Sequence, residues 1–273
     1  MTLGPIEGEM YLANGQVKKV PDFEPEVGAL VYYEVVRLIE GRFLFLEDHL
    51  LRLRNSLLNS GLSYPGKQII LGNLKQLLLS NSIENGNIRI CLQDREQGQE
   101  LLCYFIPYHY PTTTEYQLGV QLITFSHERP SPGIKRWDGD FRTRVRGAIR
   151  EKQAYEALLL NRRREITEGS RSNVFFVDRH NTLITPPVKH ILPGITRNYV
   201  LKCARESGMA VLEEVPTLTA AMGYPACFIS GTSPKVLPVR EIDGQSFYAD
   251  HPLVRKLMDQ FELLVEQKLE TIN

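Results

Sequence analysis

The stretch that decides the fold runs from Thr167 to Arg197 and reads TEGSRSNVFFVDRHNTLITPPVKHILPGITR. Glu168 stands there among small polar residues, just ahead of the apolar run 173–177, which is typical of a buried β-strand. Near the end a proline and a glycine break the chain, and we expect a helix over 196–208 with Thr196 as its N-cap. A strand and a helix follow one another through short turns, which favours a mixed α and β fold.

The same mixture of strands and helices extends along the chain in both directions. Upstream, a β-branched run, a turn at Glu40-Gly41 and a second apolar run predict a hairpin. The predicted strands are 29–39, 43–46, 87–93, 101–107, 119–125, 157–160, 173–177 and 226–230. The predicted helices are one that opens at Glu47-Asp48, with Leu50, Leu53, Leu57 and Leu58 on one face, and 67–79, 145–155, 196–208 and 252–269. Hairpins together with crossovers predict the α+β fold class.

A short polar segment marks the predicted domain boundary. The residues Pro111-Thr112-Thr113-Thr114 suit a connection between two compact parts. We place a linker at 112–115, an N-terminal α+β domain over 1–111 and a C-terminal domain over 116–273. The polar residues 94–100 are predicted to form a hairpin loop inside the first domain.

The composition excludes several classes of protein. The 32 Lys and Arg residues balance 32 Asp and Glu residues, which disfavours a nucleic-acid-binding protein or one held on a membrane by basic residues. No apolar run approaches the roughly 18 residues of a membrane helix, and the start lacks a signal-peptide pattern. We therefore expect a cytoplasmic protein. The four cysteines are far apart, which predicts reduced thiols in the core.

Two turns offer hydroxyl and backbone donors of the kind that bind phosphate. The helix start at Ile195 and Thr196 combines backbone N–H groups, a hydroxyl and the positive end of the helix dipole. The loop at Gly231 and Thr232 follows an apolar strand and permits close backbone approach. Taken alone, the first is also an ordinary helix start and the second an ordinary loop.

Two ionisable residues, Glu168 and Lys135, are candidates for catalytic groups. Glu168, at the mouth of a buried strand, suits a partner for a protonated ring nitrogen, and the alternative is a solvated turn glutamate. Lys135 lies among several arginines, and neighbouring positive charge favours the neutral amine that forms a Schiff base. The alternative for that cluster is a solvated face or a patch for an anionic ligand.

Common catalytic and metal-binding motifs are missing from the sequence. It contains no G-x-G-x-x-G, no G-x-x-x-x-G-K-[ST], no H-E-x-x-H and no G-x-S-x-G. The six histidines are scattered, so neither a histidine base nor a metal site is expected. The pair Asp138 and Asp140 is interpreted as a turn, since no third carboxylate stands at a suitable spacing.

Together these features resemble the class IV, or fold-type IV, pyridoxal-phosphate aminotransferases. The stretch Thr167–Arg197 is similar to the family's T-E-G-x-x-S-N-(I/V)-F, T-P and L-x-G-I-T-R motifs, in that order. The resemblance continues through Gly231-Thr232 and, in the first half, through Tyr33-Glu34 and His49–Leu53. It implies a smaller N-terminal α/β domain, a larger C-terminal β-barrel-like domain with surrounding helices, and a homodimer.

The resemblance implies a role for each matching residue. Lys135 matches the lysine that holds pyridoxal 5'-phosphate as a Schiff base and moves the proton. Glu168 matches the acid beside the pyridine nitrogen. Tyr33 matches an aromatic residue of the substrate pocket, and Arg89 matches the arginine that receives a substrate carboxylate in branched-chain members. The residues that match the phosphate site are Arg52, Ile195, Thr196, Gly231 and Thr232.

Three segments depart from the family pattern. The family's Y-G-D-G-x-F-E reads here as residues 26–34, EVGALVYYE. Residues 136–141 lack the usual asparagine or tyrosine near the cofactor's ring hydroxyl. Residues 93–98 do not reproduce the T-R-G segment of many relatives.

Three functions are compatible with these residues. The first is an aminotransferase that moves an amino group between an amino acid and a 2-oxo acid, where Arg89 favours L-amino acids with an apolar side chain. The second is a lyase of the aminodeoxychorismate type, which expels pyruvate from the same cofactor site. The third is a family member that kept the fold and lost turnover.

Overall fold

The structure, a computed structural model, describes residues 3–23, 30–95 and 98–272. These residues form two compact units. Unit 1 comprises Met1–His109, Ile134–Asp140 and Gln267–Asn273, and unit 2 comprises Tyr110–Gly133 and Phe141–Glu266. Both units contain helices and sheets, so the predicted α+β fold class is confirmed.

Unit 1 is built on an antiparallel sheet of seven strands. Its strands are β1 (Glu7–Ala13), β2 (Gln16–Lys19), β3 (Leu30–Ile39), β4 (Arg42–Leu44), β5 (Gly86–Arg95), β6 (Gly98–Ile106) and, from the end of the chain, β16 (Leu269–Glu270). The sheet order is β16-β4-β3-β5-β6-β1-β2. Its helices are α1 (Leu46–Leu58) and α2 (Lys67–Asn81).

The two faces of this sheet have different surroundings because side chains alternate along each strand. On one face Ile88, Ile90 and their neighbours pack with leucines of α1 and α2 in a single core cluster. On the opposite face Tyr33 and Cys91 pack in a second cluster with the ring of Trp137. Strand β3 thus places Tyr33 on one face and Glu34 on the other.

The predicted elements of unit 1 are present, with shifted ends. The predicted hairpin is confirmed as β3 and β4, although β4 is shorter than expected and α1 begins at Leu46. Leu58, predicted on the buried face of α1, is exposed. The predicted loop 94–100 is wrong in part, because the β5 and β6 ladder continues to Arg95 and Gly98. Residues 26–29, in the first segment that departs from the family pattern, and residues 96 and 97 lie outside the described residues.

Unit 2 contains the second sheet and the remaining helices. Its strands are β7 (Val120–Ser126), β8 (Glu156–Leu160), β9 (Ile166–Gly169), β10 (Asn173–Val177), β11 (Leu183–Thr185), β12 (Val211–Glu213), β13 (Ala226–Gly231), β14 (Lys235–Ile242) and β15 (Gln245–Ser246). The sheet order is β12-β11-β10-β13-β14-β7-β8-β9, and β15 pairs with β14. The helices are α3 (Thr113–Leu118), α4 (Gly139–Glu151, whose first two residues belong to unit 1), α5 (Ile195–Glu206), α6 (Leu218–Ala221) and α7 (Pro252–Gln267).

Three helix predictions in unit 2 need correction. Helix α4 starts at Gly139 and not near residue 145, because Phe141 and Val145 bury one stripe while Arg144 between them is exposed. Helix α5 starts at Ile195 with Gly194 at the N-cap, so Thr196 lies inside the first turn and does not cap it. Helix α7 ends at Gln267, and Leu269, predicted as its last residue, belongs to β16.

The segment predicted as a linker begins a short helix. The Thr112 hydroxyl accepts from the backbone of Glu115, and the Glu115 carboxylate accepts from the backbone of Thr112, which is a capping box at the start of α3. The division into domains 1–111 and 116–273 stays a prediction.

Two further observations concern the chain as a whole. All four cysteines are free and buried, as predicted, and burial raises the pKa of the Cys91 thiol to about 11. Among the helices in the described ranges, none has the length and apolar character needed to cross a membrane.

Candidate active site

Lys135 is fixed by backbone contacts on both sides. Its carbonyl accepts from the N–H of Tyr33 at 3.2 Å, and its own N–H donates to the Ser56 hydroxyl of α1 at 3.3 Å. Two residues on, the N–H of Trp137 donates to the carbonyl of Val31 at 2.8 Å. The segment around Lys135 therefore runs along β3 like a short extra strand, and its position is set by main-chain hydrogen bonds.

The amine of Lys135 lies close to the aromatic side chains of unit 1. Its Nζ is 4.8 Å from the ring centroid of Tyr33. The rings of Tyr33 and Trp137 meet edge to face at 5.6 Å. The guanidinium carbon of Arg89 is 5.5 Å from the Tyr33 centroid and 4.6 Å from that of Trp137. Unit 1 thus brings together Lys135, Tyr33 and Arg89, three residues that the sequence places in the site.

Arg89 is held from several directions. Burial lowers its pKa, but the surrounding tyrosine and thiol groups outweigh this effect, so the pKa of Arg89 is raised. One Nη1 donor reaches the carbonyl of Leu3, and the same atom lies 3.4 Å from the Tyr104 hydroxyl. Its Nε is buried and has no hydrogen-bond partner in the described ranges. A permanently charged group with an unused donor in an aromatic setting suits a carboxylate ligand.

Arg52 lies on the other face of β3, where it forms a buried ion pair with Glu34. Arg52 Nε and Nη2 donate to the two Glu34 oxygens at 2.7 and 2.6 Å. His49 Nδ1 also lies 2.7 Å from Glu34 Oε2. The three residues form a network, which we call the Glu34 triad, that joins β3 to the inner side of α1.

The charges in the Glu34 triad follow from its pKa shifts. Burial would raise the pKa of Glu34, but the adjacent Arg52 and the hydrogen bond from His49 outweigh it and lower the value to about 2. Burial lowers the pKa of His49, and the nearby charges of Arg52 and Lys135 lower it further, more than Glu34 raises it. Near neutral pH Glu34 is therefore ionised and His49 is neutral, with its Nδ1–H donated to Glu34.

Glu168 is held at both oxygens in unit 2. Arg129 Nε donates to Oε1 at 2.9 Å, and the N–H of Leu192 donates to Oε2 at 3.2 Å. The carboxylate is nearly inaccessible, with 4% of the side chain exposed, against 17% for Arg129. It is thus a fixed buried carboxylate and not a solvated turn residue.

The loop after Glu168 is organised by a second buried carboxylate, Glu156. Its oxygens accept from the Ser170 hydroxyl at 2.6 Å, the N–H of Arg171 at 3.1 Å and the Ser172 hydroxyl at 3.4 Å. A Cβ on Gly169 would lie 2.0 Å from the Ser172 hydroxyl oxygen, so a side chain there would displace that hydroxyl. Glu156 therefore fixes the turn that leads from Glu168 into β10.

Asn173 connects this turn to the start of α5. Its side-chain amide donates to the carbonyl of Leu192 at 3.1 Å. A Cβ on Gly194 would lie 1.8 Å from the Asn173 side-chain oxygen, so the chain passes Asn173 as closely as a glycine allows. Within the described ranges, no side-chain cap is present at the first turn of α5, where the N–H groups of Ile195 and Thr196 lie.

The strand that pairs with Asn173 supplies the remaining predicted residues. Asn173 stands opposite Ser230 in the β10 and β13 ladder, directly before Gly231 and Thr232. The Ser230 hydroxyl is fully buried and has no hydrogen-bond partner in the described part of the chain. Helix α5 packs against β13. Unit 2 thus joins Glu168, the start of α5 and the Gly231 loop through Asn173 and Leu192.

Several residues of this arrangement were missed by the sequence analysis. The sequence did contain a signal for the contacts of Glu34. A charged residue on the buried face of a predicted strand needs a partner, and His49 and Arg52 share one face of α1. Arg129 had none, since nothing local indicates that it meets Glu168. Glu156, which falls between the predicted helix 145–155 and the predicted strand 157–160, was assigned no role.

The chain is similar to a known family over most of its length. The sequence profile of the family described as amino-transferase class IV matches residues 32–242. A D-alanine aminotransferase from Bacillus licheniformis is 30% identical over 232 residues, which cover 81% of both chains. A putative branched-chain-amino-acid aminotransferase from Methanocaldococcus jannaschii is 30% identical over 251 residues, covering 84% of this chain and 85% of the relative.

Solved structures of low sequence identity share the fold of this chain. The branched-chain amino acid aminotransferase of Escherichia coli matches with a TM-score of 0.85 and 21% identity, over 98% of this chain and 100% of the other. A hypothetical aminotransferase from Mycobacterium tuberculosis, solved in its PLP-bound form, matches with a TM-score of 0.81 and 16% identity, over 94% of this chain and 99% of the other.

Proposed function

The chain belongs to the class IV aminotransferases, which are pyridoxal-phosphate-dependent transaminases, and we propose that Lys135 forms the Schiff base that its reaction requires. The observation that supports this assignment is the position of the Lys135 amine, 4.8 Å from the Tyr33 ring and beside the aromatic groups that hold Arg89. Hydrogen bonds to its N–H and carbonyl groups hold the backbone of Lys135, from which the side chain extends toward Tyr33.

The described residues fit pyridoxal phosphate. The first turn of α5 has N–H groups that no side chain caps, the Thr196 hydroxyl stands in that turn, and the Ser230 hydroxyl is buried and unpartnered in the described part of the chain. These groups are donors, and donors at a helix start match an anion with several oxygens. Arg52 adds a cation, and Glu168 supplies the carboxylate that a protonated ring nitrogen needs.

The reaction divides among these residues as follows. When bound, pyridoxal phosphate supplies the aldehyde for the Schiff base and a ring that accepts the electron pair of the broken Cα–H bond. Lys135 Nζ removes the proton from the substrate Cα and holds it for return to carbon. Glu168, fixed between two hydrogen-bond donors, would hold the proton on the ring nitrogen.

The residues that we assign to the phosphate are of two kinds. Arg52 contributes charge-assisted hydrogen bonds. The backbone of Ile195 and Thr196, together with Gly231 and Thr232, contributes N–H and hydroxyl donors. The role of these groups is to bind and orient the cofactor, and none of them moves a proton.

We assign the substrate carboxylate to Arg89 and the wall of the substrate pocket to Tyr33. The surrounding surface is aromatic and aliphatic, since Tyr33, Tyr104 and Trp137 enclose the guanidinium. This setting favours an L-amino acid with an apolar side chain as donor and a 2-oxo acid as acceptor. The proposal also includes a homodimer, a cytoplasmic location and a domain division at 112–115.

The visible spectrum tests the assignment of Lys135. Purified protein with pyridoxal phosphate should show a Schiff-base absorption band that decays when a suitable amino acid is added, and Lys135→Ala should lose the band and keep its circular dichroism. Lys152→Ala, which changes an exposed lysine after α4, should behave like the wild type. A band that persists in Lys135→Ala would remove Lys135 from this role. Pyruvate release without a 2-oxo acid acceptor would instead identify the lyase.

A further inference from the structure

We propose that Glu34 and His49 are positioning residues that fix the Arg52 guanidinium for phosphate binding. The inference rests on the proposed function, because it takes Arg52 as a phosphate ligand. Its starting observation is that Glu34 occupies Arg52 Nε and Nη2 side by side, at 2.7 and 2.6 Å. A guanidinium held at two atoms of its edge by one carboxylate has a defined plane and direction.

The geometry divides the five N–H groups of Arg52 into two sets. Glu34 takes one on Nε and one on Nη2, and the other three belong to Nη1 and to the outer side of Nη2. Glu34 is completely buried, whereas 12% of the Arg52 side chain is exposed. The side of Arg52 that faces Glu34 is thus the buried side, and the phosphate approaches the other.

His49 makes the third hydrogen bond to the Glu34 carboxylate. Its Nδ1–H donates to Glu34 Oε2, the same oxygen that accepts from Arg52 Nη2. His49 lies one turn before Arg52 on α1, and only 3% of its side chain is exposed. The carboxylate therefore has donors on both sides and cannot rotate away from Arg52 without losing one of them.

Fold stability alone does not explain this network. Replacing a buried ion pair with apolar side chains of similar volume is often neutral or stabilising, since desolvation offsets the attraction between the charges. In addition, a carboxylate beside Arg52 cancels part of the charge that attracts a phosphate. A simple neutralising role and a positioning role therefore predict opposite effects when the charge of Glu34 is removed.

The experiment compares the affinity of the apoprotein for pyridoxal phosphate with its affinity for pyridoxal, by equilibrium dialysis. The ratio of the two affinities measures the contribution of the phosphate group to binding. Arg52→Ala should lower it strongly, and Glu34→Gln should lower it about tenfold or more, as expected for losing a hydrogen bond to a charged group. Glu47→Gln, which removes the exposed ion pair between Glu47 on α1 and Lys67 on α2, is the control and should leave the ratio unchanged.

His49 provides a test that does not depend on Glu34→Gln folding. His49→Asn retains an N–H near the Nδ1 position and should keep the ratio close to that of the wild type, whereas His49→Phe has no donor and should lower it. An unchanged or higher ratio in Glu34→Gln, with a lowered ratio in Arg52→Ala, would overturn the positioning role alone. An unchanged ratio in Arg52→Ala would overturn the phosphate assignment and this inference with it.

Discussion

Buried carboxylates set the direction of the charged side chains around them. Glu34 aligns Arg52, and Glu168 is itself aligned by Arg129 and by a backbone N–H. The partners Arg52 and Arg129 are charged, which gives shorter and stronger hydrogen bonds than neutral partners would. The orientation of each carboxylate is thus set by the fold before any ligand binds.

The pKa shifts of the Glu34 triad predict how stability depends on pH. The pKa of Glu34 falls from 4.5 to about 2 on folding, so its stabilisation is complete above pH 4.5 and is lost as the pH falls toward 2. The shift corresponds to about 3 kcal/mol. His49 also has a lowered pKa, so its contribution is complete above pH 6.5 and declines below that value.

Urea unfolding at a series of pH values checks this prediction. The difference in unfolding free energy between wild type and Glu34→Gln should be constant near neutral pH and should shrink as the pH falls below about 4.5. Glu47→Gln serves as the exposed control and should show little difference from the wild type at any pH. A gap between wild type and Glu34→Gln that grows on acidification would contradict the assigned pKa shift.

At the start of α5 the contact between Gly194 and Asn173 explains why this helix begins where it does. A side chain at 194 would collide with the Asn173 oxygen and with the Cγ behind it, at 1.8 and 3.0 Å. Asn173 is itself tied to Leu192 and paired with Ser230. Helix α5, β10 and β13 therefore meet at one point.

Gly194→Ala should disturb this meeting point. We expect it to push Asn173 from its hydrogen bond, to lower the unfolding free energy and to weaken the affinity for pyridoxal phosphate. Gly147→Ala is the matched control, because a Cβ there meets no atom within 4 Å, and alanine in a helix interior is favoured over glycine by up to about 1 kcal/mol. Denaturant unfolding and dialysis measure both effects. Equal behaviour of the two variants would show that the contact at Gly194 has no consequence.

Elements were predicted from the sequence where the local pattern is strong. The β3 and β4 hairpin follows from β-branched residues around Glu40-Gly41, and helix α2 from its apolar spacing. Strands β1 and β2 were missed, and the start of α4 was misplaced because its arginines read as a charge cluster. Where the pairing is distant, as between Arg129 and Glu168, no periodicity or turn signal carries the information, and only the folded chain brings the residues together.

In the whole molecule, unit 1 is assembled from three separate parts of the chain. Residues 134–140 and 267–273 join the N-terminal part. The first of these bonds to β3 through Lys135 and Trp137, and the second supplies β16, which pairs with β4 at the edge of the sheet. A cut at the predicted boundary therefore removes from unit 1 both the segment that holds the proposed Schiff-base lysine and one edge strand.

A fragment of residues 1–111 should accordingly fail to fold as a stable unit. Without 134–140 the N–H of Tyr33 loses its partner, and without β16 the backbone of β4 becomes an open edge that favours aggregation. We expect no cooperative thermal transition from this fragment alone, as measured by circular dichroism. Co-expression with residues 112–273 should restore both the transition and the pyridoxal-phosphate absorption band, because the second fragment carries the missing segments. A cooperative transition from residues 1–111 alone would show instead that the N-terminal part holds its sheet without them.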